Sequence, residues 1–267
     1  MCTMVVLCRP GHRWPLVVAA NRDEMMDRPW RSPARHWSER PQVVAGLDEL
    51  GGGTWLGLND FGVVAGVLNR LNTLGPAPGL RSRGELPLLA LDHGAASAAV
   101  EAIAELDPDS YRPFNMVIAD RREAFWLRTR AAGIAPGPGP HDGGGIEIAA
   151  LPAGLSMITA YDRNDVASPR IRRYLPLFEA AAAPDPDRDD WSEWRALLAS
   201  REHDPAAGPG GACWVATTTG FGTVSSSLIA LPAAGTSAAA PRWLFSAGHL
   251  AARGYHPVSL AATTGER

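Results

Sequence analysis

Cys2 is the residue of this chain best suited to covalent chemistry. A small second residue permits removal of Met1, and the product then carries a thiol and an α-amine on one residue. The ordinary pKa is about 8.5 for a thiol and about 7.7–8.0 for an α-amine, so the amine can serve as the base that ionises the thiol. The alternative interpretation is that Cys2 has no chemical role and Met-Cys is only the beginning of the reading frame. The pattern predicts a candidate nucleophile at Cys2.

Four polar residues, Asn21-Arg22-Asp23-Glu24, follow the apolar run PLVVAA directly. If residues 3–8 and 15–20 pair as a hairpin, this cluster lies beside Cys2. Arg22 could then hold the thiolate and a developing oxyanion, and Asp23 could accept hydrogen bonds from the α-ammonium group. A solvated turn at a strand end is the alternative interpretation.

The segment WLGLNDFGVVAGVLNR, residues 55–70, has the pattern of a strand, an Asn-Asp turn and a second strand that Asn69 closes. The amide of an Asn at that place can donate to a substrate oxygen and supply half of an oxyanion hole. A turn-forming Asn is an equally good interpretation of the spacing.

The sequence predicts strands, then helices, then strands, helices and strands again. These elements must position the groups described above. A helical pattern over residues 82–106 is interrupted at His93-Gly94, and two more helices are predicted at 168–182 and 190–200. The strands are predicted at 3–8, 15–20, 42–46, 54–58, 62–68, 114–119, 123–128, a pair near 146–160, 213–217, 222–231 and 242–246. Residues 27–42 and 131–145 read as loops and the last ten as frayed. Antiparallel hairpins dominate, which favours an α+β domain of two facing antiparallel sheets with helices outside.

Composition excludes several classes of function. The formal charge is −3 with the basic residues scattered, so no nucleic-acid partner is indicated and a small molecule is expected. No run of eighteen apolar residues and no signal-peptide pattern occurs, so we expect no membrane span and a cytoplasmic location. The seven His residues show no metal-ligand spacing. Cys8 and Cys213 lie in apolar runs and are expected to be buried free thiols.

The chain resembles the NRDE family, also called the transport and Golgi organisation family. The start MCTMVVL, the NRDE tetrapeptide, FNMVIAD, PRIRRYLPLF and GFGTVSSSLIALP carry the resemblance. More distantly it is similar to the N-terminal-cysteine amidases that cleave bile-salt conjugates and penicillin V. This resemblance implies a four-layer αββα N-terminal-nucleophile hydrolase-like sandwich spanning residues 2–267 as one domain.

The resemblance also implies roles for individual residues. Cys2 would be nucleophile and base, Arg22 and Asp23 would position it, and Asn69, downstream of the segment Gly57-Leu-Asn-Asp-Phe-Gly62, would help to bind the oxyanion. Residues expected to contact the substrate are Asn21, Glu24, Asn59 and Asn164.

Two features depart from the amidase pattern. The amidases use a second Asn in mid-chain, for which Asn164 and Asn115 are the nearest candidates here. They also place an Arg in the last strand region, where this chain has Val224 and Ser225. The thiolate would therefore lack one cationic neighbour.

Two functions of different classes follow. The first is a cysteine hydrolase acting on a linear amide or related acyl compound, which needs no cofactor. The second is non-enzymatic binding or trafficking of haem or of an acyl-CoA-like or lipid-like ligand, functions to which the resembled family has been linked. A thiolate can ligate haem iron as well as attack a carbonyl group. The oligomeric state is left open.

Overall fold

Two antiparallel sheets form the centre of the molecule. The computed structural model describes residues 2–75, 77–129, 145–235, 240–248 and 254–261. Within these residues, sheet I contains, in spatial order, β10 (Gly154–Ile158), β1 (Thr3–Cys8), β2 (Leu16–Met25), β11 (Phe221–Leu231), β12 (Arg242–Ala247) and β13 (His256–Pro257). Sheet II contains β3 (Trp30–Ala34), β4 (Val43–Asp48), β5 (Leu56–Asn59), β6 (Val64–Asn69), β7 (Phe114–Ala119), β8 (Ala124–Arg128) and β9 (Glu147–Ala150).

Helices cover the outer face of each sheet. The described helices are α1 (Glu85–Leu91), α2 (Ala96–Ala104), α3 (Pro169–Ala180) and α4 (Ser192–Ala199). One apolar cluster joins α1 and α2 to sheet II, a second joins α3 and α4 to sheet I, and a third lies between the two sheets. The predicted four-layer αββα sandwich is thereby confirmed.

Strand β1 is apolar throughout because both of its faces are buried. Successive side chains of a strand point to opposite faces. Met4 and Val6 pack between the sheets, whereas Val5 and Leu7 pack against the helices. Both faces are buried, so the strand reads as a continuous apolar run rather than an alternating one.

The predicted hairpin between β1 and β2 is confirmed, but β2 is longer than predicted. It runs to Met25, so the NRDE tetrapeptide lies within the strand rather than after it. Pairing with β11 as well as β1 buries Asn21, Arg22 and Asp23 inside sheet I. The polar residues are therefore part of the sheet, and they are not a solvated turn.

Three other predicted elements differ in the structure. The strands near 146–160 are not partners, because β9 joins sheet II and β10 joins sheet I. Residues 213–215 are buried and 216–217 are exposed, and this segment forms only an isolated bridge between Ala216 and Gly222, so the predicted strand there is wrong. The predicted loop 27–42 contains the edge strand β3, and an edge position tolerates its Pro33.

Part of the C-terminal segment is hydrogen-bonded to the rest of the molecule. Val258 donates to the carbonyl of Trp243, and Arg35 donates to the carbonyl of Leu260. The predicted loop at 131–145 lies, up to residue 144, outside the described residues, as do residues 262–267 of the tail predicted to be frayed. In the part of the chain that the structure describes, no helix is long and apolar enough to cross a membrane.

Candidate functional site

Cys2 lies at the beginning of β1, where β2 holds it. Thr3 is in register with Asn21, which brings Cys2 beside the next residues of β2. The backbone N–H of Asp23 donates to the Cys2 Sγ at 3.4 Å, and the thiol faces the Asp23 carbonyl at 3.6 Å. The sulfur is therefore fixed by the backbone of a residue that the hairpin pattern predicted to lie next to it.

A narrow pocket between the sheets opens at this sulfur. Its empty space is ≈ 300 Å³ including the part open to solvent, and the enclosed part has room for about one water molecule. Cys2, Arg22 and Ser225 line it from sheet I, and Trp55 and Leu68 line it from the side of sheet II. A reacting group would therefore lie between the two sheets.

Arg22 is the buried cation of this pocket. Its guanidinium lies 4.3 Å from the ring centroid of Trp55, and its side chain is 4% exposed. Nη2 lies 3.3 Å from Asp48 and 3.7 Å from Glu24. Nη1 is buried without a hydrogen-bond partner among the described residues. Arg22 therefore keeps a donor that no described group uses.

Asp23 directs its carboxylate away from the pocket. Thr223 of β11 donates to Oδ1 at 2.6 Å, and Arg170 of α3 donates to Oδ2 at 3.0 Å. The side chains of Asp23 and Arg170 are 0% and 2% exposed, so this is a buried ion pair. Asp23 thus contacts Cys2 through its backbone, and its side chain is held by Thr223 and Arg170.

The environment of Cys2 disfavours the thiolate form. Burial raises the pKa of Cys2 above its ordinary value, and the negative charge of Asp23 raises it further. The Asp23 backbone hydrogen bond and the charge of Arg22 oppose this shift without reversing it. A base is therefore needed to generate the thiolate at neutral pH.

Arg83 is a second cation near Cys2, and sequence reasoning missed it. Burial and Arg112 lower the pKa of Arg83 to about 10, and the charges of Cys2 and Glu24 oppose that shift. Its guanidinium donates to Thr73 and to the carbonyl of Pro113. No motif marked Arg83, because it lies in a polar segment before α1.

Asn69 ends β6 in sheet II, directly after the pocket-lining Leu68. It is half-buried but is not one of the residues that line the pocket. Its oxyanion role stays a prediction.

Asn21 and Glu24, two of the predicted substrate contacts, already have hydrogen-bond partners, although Asn21 is also one of the residues that line the pocket. Asn21 donates to the carbonyls of Leu198 and Cys213 at 2.9 Å, so its amide group faces the helix side of sheet I. Glu24 accepts from the backbone N–H of Met25 and lies 3.7 Å from Arg28.

Asn59 and both candidates for the second amidase Asn also have structural partners. Asn59 donates to the carbonyls of Leu91 and His93 and accepts from the N–H groups of Phe61 and Val63. Asn164, with φ 56°, accepts from the N–H of Met157 at 2.7 Å. Asn115 donates to the carbonyls of Thr159 and Tyr161 at 2.8 Å. None of these three side chains lines the pocket beside Cys2.

The remaining cysteines differ from Cys2. Burial raises the pKa of Cys8 to about 11 and that of Cys213 to about 12. Cys213 is buried as expected, whereas Cys8 is only half-buried, because it lies at the end of β1. In the described residues, no group of three or more His, Cys, Asp or Glu side chains could hold a metal ion.

Solved structures with the same architecture are amidases and hydrolases. The Caenorhabditis elegans ortholog of N-acylethanolamine-hydrolyzing acid amidase aligns with a TM-score of 0.54 at 10% identity, over 88% of this chain and 95% of that one. A variant of the conjugated bile acid hydrolase from Clostridium perfringens aligns with a TM-score of 0.54 at 11% identity, over 99% of each chain. The fold is therefore that of the N-terminal-nucleophile hydrolases.

Sequence comparison gives the family. The Transport and Golgi organization protein 2 homolog of Bos taurus is 38% identical over 112 residues, which is 39% of this chain and 38% of that protein. The human homolog is 36% identical over 112 residues. The matched segments thus span less than two-fifths of these relatives. The profile of the family Transport and Golgi organisation 2 matches residues 1–147, more than half of the 267 residues, and the chain belongs to that family.

Proposed function

We propose that this protein is a cysteine hydrolase that cleaves a linear amide or a related acyl compound, with Cys2 as nucleophile after removal of Met1. The observation that carries the proposal is the Cys2 sulfur, held by the Asp23 backbone in a pocket that is also lined by Arg22, whose buried Nη1 has no hydrogen-bond partner among the described residues. The amidase-like fold supports the proposal as the scaffold that such chemistry uses.

In the proposed reaction, the α-amine of Cys2 takes the thiol proton directly or through one water molecule. The sulfur then attacks the carbonyl carbon, and the carbonyl oxygen becomes an oxyanion that accepts from Arg22 Nη1. The protonated amine gives its proton to the leaving nitrogen as the C–N bond breaks, which leaves a thioester on Cys2. Water attacks this thioester, releases the carboxylic acid and regenerates the thiol.

The raised pKa of Cys2 supports a proton relay rather than a preformed thiolate. A thiol that ionises only as it attacks needs its base within hydrogen-bond reach. An α-amine on the same residue meets that requirement without any further side chain.

The charges around the pocket support a neutral acyl group as substrate. Arg22 and Arg28 pair with Glu24 and Asp48, and Arg83 donates to Thr73 and to the carbonyl of Pro113, so these cations already have partners and do not require an anionic substrate. A carbonyl oxygen needs one hydrogen-bond donor rather than a net positive charge, and Arg22 Nη1 provides such a donor.

Non-enzymatic ligand binding is the second candidate. It is favoured by Val224, which is buried in β11 where the amidase pattern places a cation. The ligand would be an acyl-CoA-like or lipid-like molecule, or a haem whose iron the Cys2 thiolate ligates.

Reaction with p-nitrophenyl esters and p-nitroanilides of acetate and octanoate tests the proposal. We expect p-nitrophenol or p-nitroaniline release, a transient acyl adduct mapped by mass spectrometry to Cys2, and a loss of at least about 100-fold in Cys2→Ser. Cys8→Ser is the matched control and should keep full activity. Turnover that survives in Cys2→Ser would contradict the hydrolase. Absence of any adduct, together with Cys2-dependent binding of octanoyl-CoA, would favour ligand carriage.

A further inference from the structure

Arg170 is a buried cation whose contacts converge on the residues around Cys2. It is 2% exposed and lies in the first turn of α3. Nη1 donates to Asp23 Oδ2 at 3.0 Å and to Thr3 Oγ1 at 2.6 Å, and Nη2 donates to the carbonyl of Gly210 at 2.9 Å. One guanidinium nitrogen therefore links the two strands on either side of the sulfur.

These contacts fix the surroundings of the thiol. Thr3 follows Cys2 in β1, and Asp23 contacts the Cys2 sulfur with its backbone N–H at 3.4 Å. Thr223 holds the second carboxylate oxygen from the other side of β2. The position of the Asp23 backbone is thus set by a carboxylate clamped between Arg170 and Thr223.

The charge of Arg170 matters as much as its hydrogen bonds. A buried Asp23 carboxylate opposes formation of a thiolate at Cys2. Arg170 compensates that negative charge at a distance where low dielectric makes the interaction strong.

We propose that Arg170, supplied by helix α3, is the cationic positioning residue of the Cys2 site. Arg170 acts through Asp23 and does not touch the substrate. The inference rests on the proposed function, because it presumes that Cys2 is the reactive thiol.

The rate of Cys2 alkylation by iodoacetamide at pH 7.5, measured on the purified protein by peptide mapping, tests the inference. We expect Arg170→Met to lower the rate about tenfold or more, because Asp23 loses its compensating charge. Arg170→Lys should recover most of the rate, whereas Arg170→Gln, which keeps a hydrogen-bond donor without the charge, should not. Arg128→Met, which breaks ion pairs between β8 and its neighbours, is the control and should leave the rate unchanged.

Thermal unfolding shows which variants are folded, so that a lower alkylation rate can be assigned to lost positioning rather than to unfolding. Arg170→Gln replaces Arg170→Met if the latter does not fold. Equal rates in the wild type, Arg170→Lys and a folded neutral variant would overturn the inference and leave the hydrolase proposal standing. A wild-type Cys2 that reacts no faster than Cys8 and Cys213 would overturn both.

Discussion

At the scale of single residues, the site is a set of polar groups buried inside a sheet. Burial is tolerable because each charge has a partner: Asp23 pairs with Arg170, and Arg22 pairs with Asp48. Removing one member of a fully buried pair leaves an uncompensated charge, which costs far more than loss of a surface pair. The pairs thus hold the site in one arrangement.

Asp23→Asn tests this arrangement. The change keeps the shape of the side chain but leaves the Arg170 charge without its counter-ion, so we expect a loss of about 3–5 kcal/mol in the free energy of unfolding. Urea unfolding measures it. The control is Glu202→Gln, whose exposed pair with Arg173 should contribute about 1 kcal/mol or less. A cost below about 1 kcal/mol for Asp23→Asn would show that the buried pair is not structural.

The sequence allowed Cys2, Arg22 and Asp23 to be grouped, because a short hairpin connects them. It did not allow Arg170 or Thr223 to be added, because they lie 147 and 200 residues from Asp23 and only the tertiary fold brings them there. One signal existed for Arg170. It falls four residues before Tyr174 on the buried stripe of α3, a position where an unpaired Arg would be costly.

At the scale of elements, Asn side chains join segments that backbone pairing does not connect. Asn59 makes four hydrogen bonds that hold the β5–β6 turn against the junction of α1 and α2. The hairpin pattern correctly predicted the turn. It could not show that the amide group faces helix carbonyls rather than a substrate, because the helix junction is more than thirty residues away.

Asn59→Ala should therefore act on stability and not on Cys2. Two buried N–H groups and two carbonyls lose their partners, so we expect a loss of about 2–4 kcal/mol in the free energy of unfolding. The alkylation rate of Cys2 should stay unchanged in the folded variant. Asn69→Ala, by contrast, should cost less than about 1 kcal/mol and lower acyl turnover. A lower alkylation rate of Cys2 in Asn59→Ala would indicate that Asn59 contributes to the Cys2 site.

Gly53 serves the close packing of the segment before α1. The α-carbon of Gly53 packs against Gly84, and a Cβ there would overlap the Gly84 backbone. We expect Gly53→Ala to cost about 1–3 kcal/mol in urea unfolding, because the segment before α1 must move. Gly210→Ala, whose Cβ would meet open space, is the control and should stay within about 0.5 kcal/mol. Equal costs would refute the packing explanation.

At the scale of the whole molecule, an ion-pair network ties the two sheets together. Asp162 follows β10 of sheet I and pairs with Arg70 and Arg128 of sheet II. Burial raises the pKa of Asp162, but hydrogen bonds from Arg128 and Arg70 outweigh burial and hold that pKa below 3.8. The layered fold followed from strand order in the sequence, whereas this link did not, because its members belong to different hairpins.

Acid should weaken this link. A carboxyl group whose pKa is lowered by folding adds stability above its unfolded-state pKa, and that stability is lost as the pH falls through the folded-state pKa. We therefore expect the difference in unfolding free energy between the wild type and Asp162→Asn to be largest above about pH 5 and to shrink below about pH 4. Urea unfolding at several pH values measures it. A difference that is constant with pH would exclude the ionic link.

The most direct test of an activated Cys2 is the intact mass of the purified protein before and after brief exposure to iodoacetamide at pH 7.5, with the adduct located by peptide mapping. Burial raises the pKa of all three thiols, but only Cys2 would carry an α-amine that can take the thiol proton. We therefore predict that Met1 is absent and that Cys2 is alkylated far faster than Cys8 or Cys213. Retention of Met1, or a Cys2 that reacts no faster than Cys8 and Cys213, would contradict the claim that this residue is an activated nucleophile.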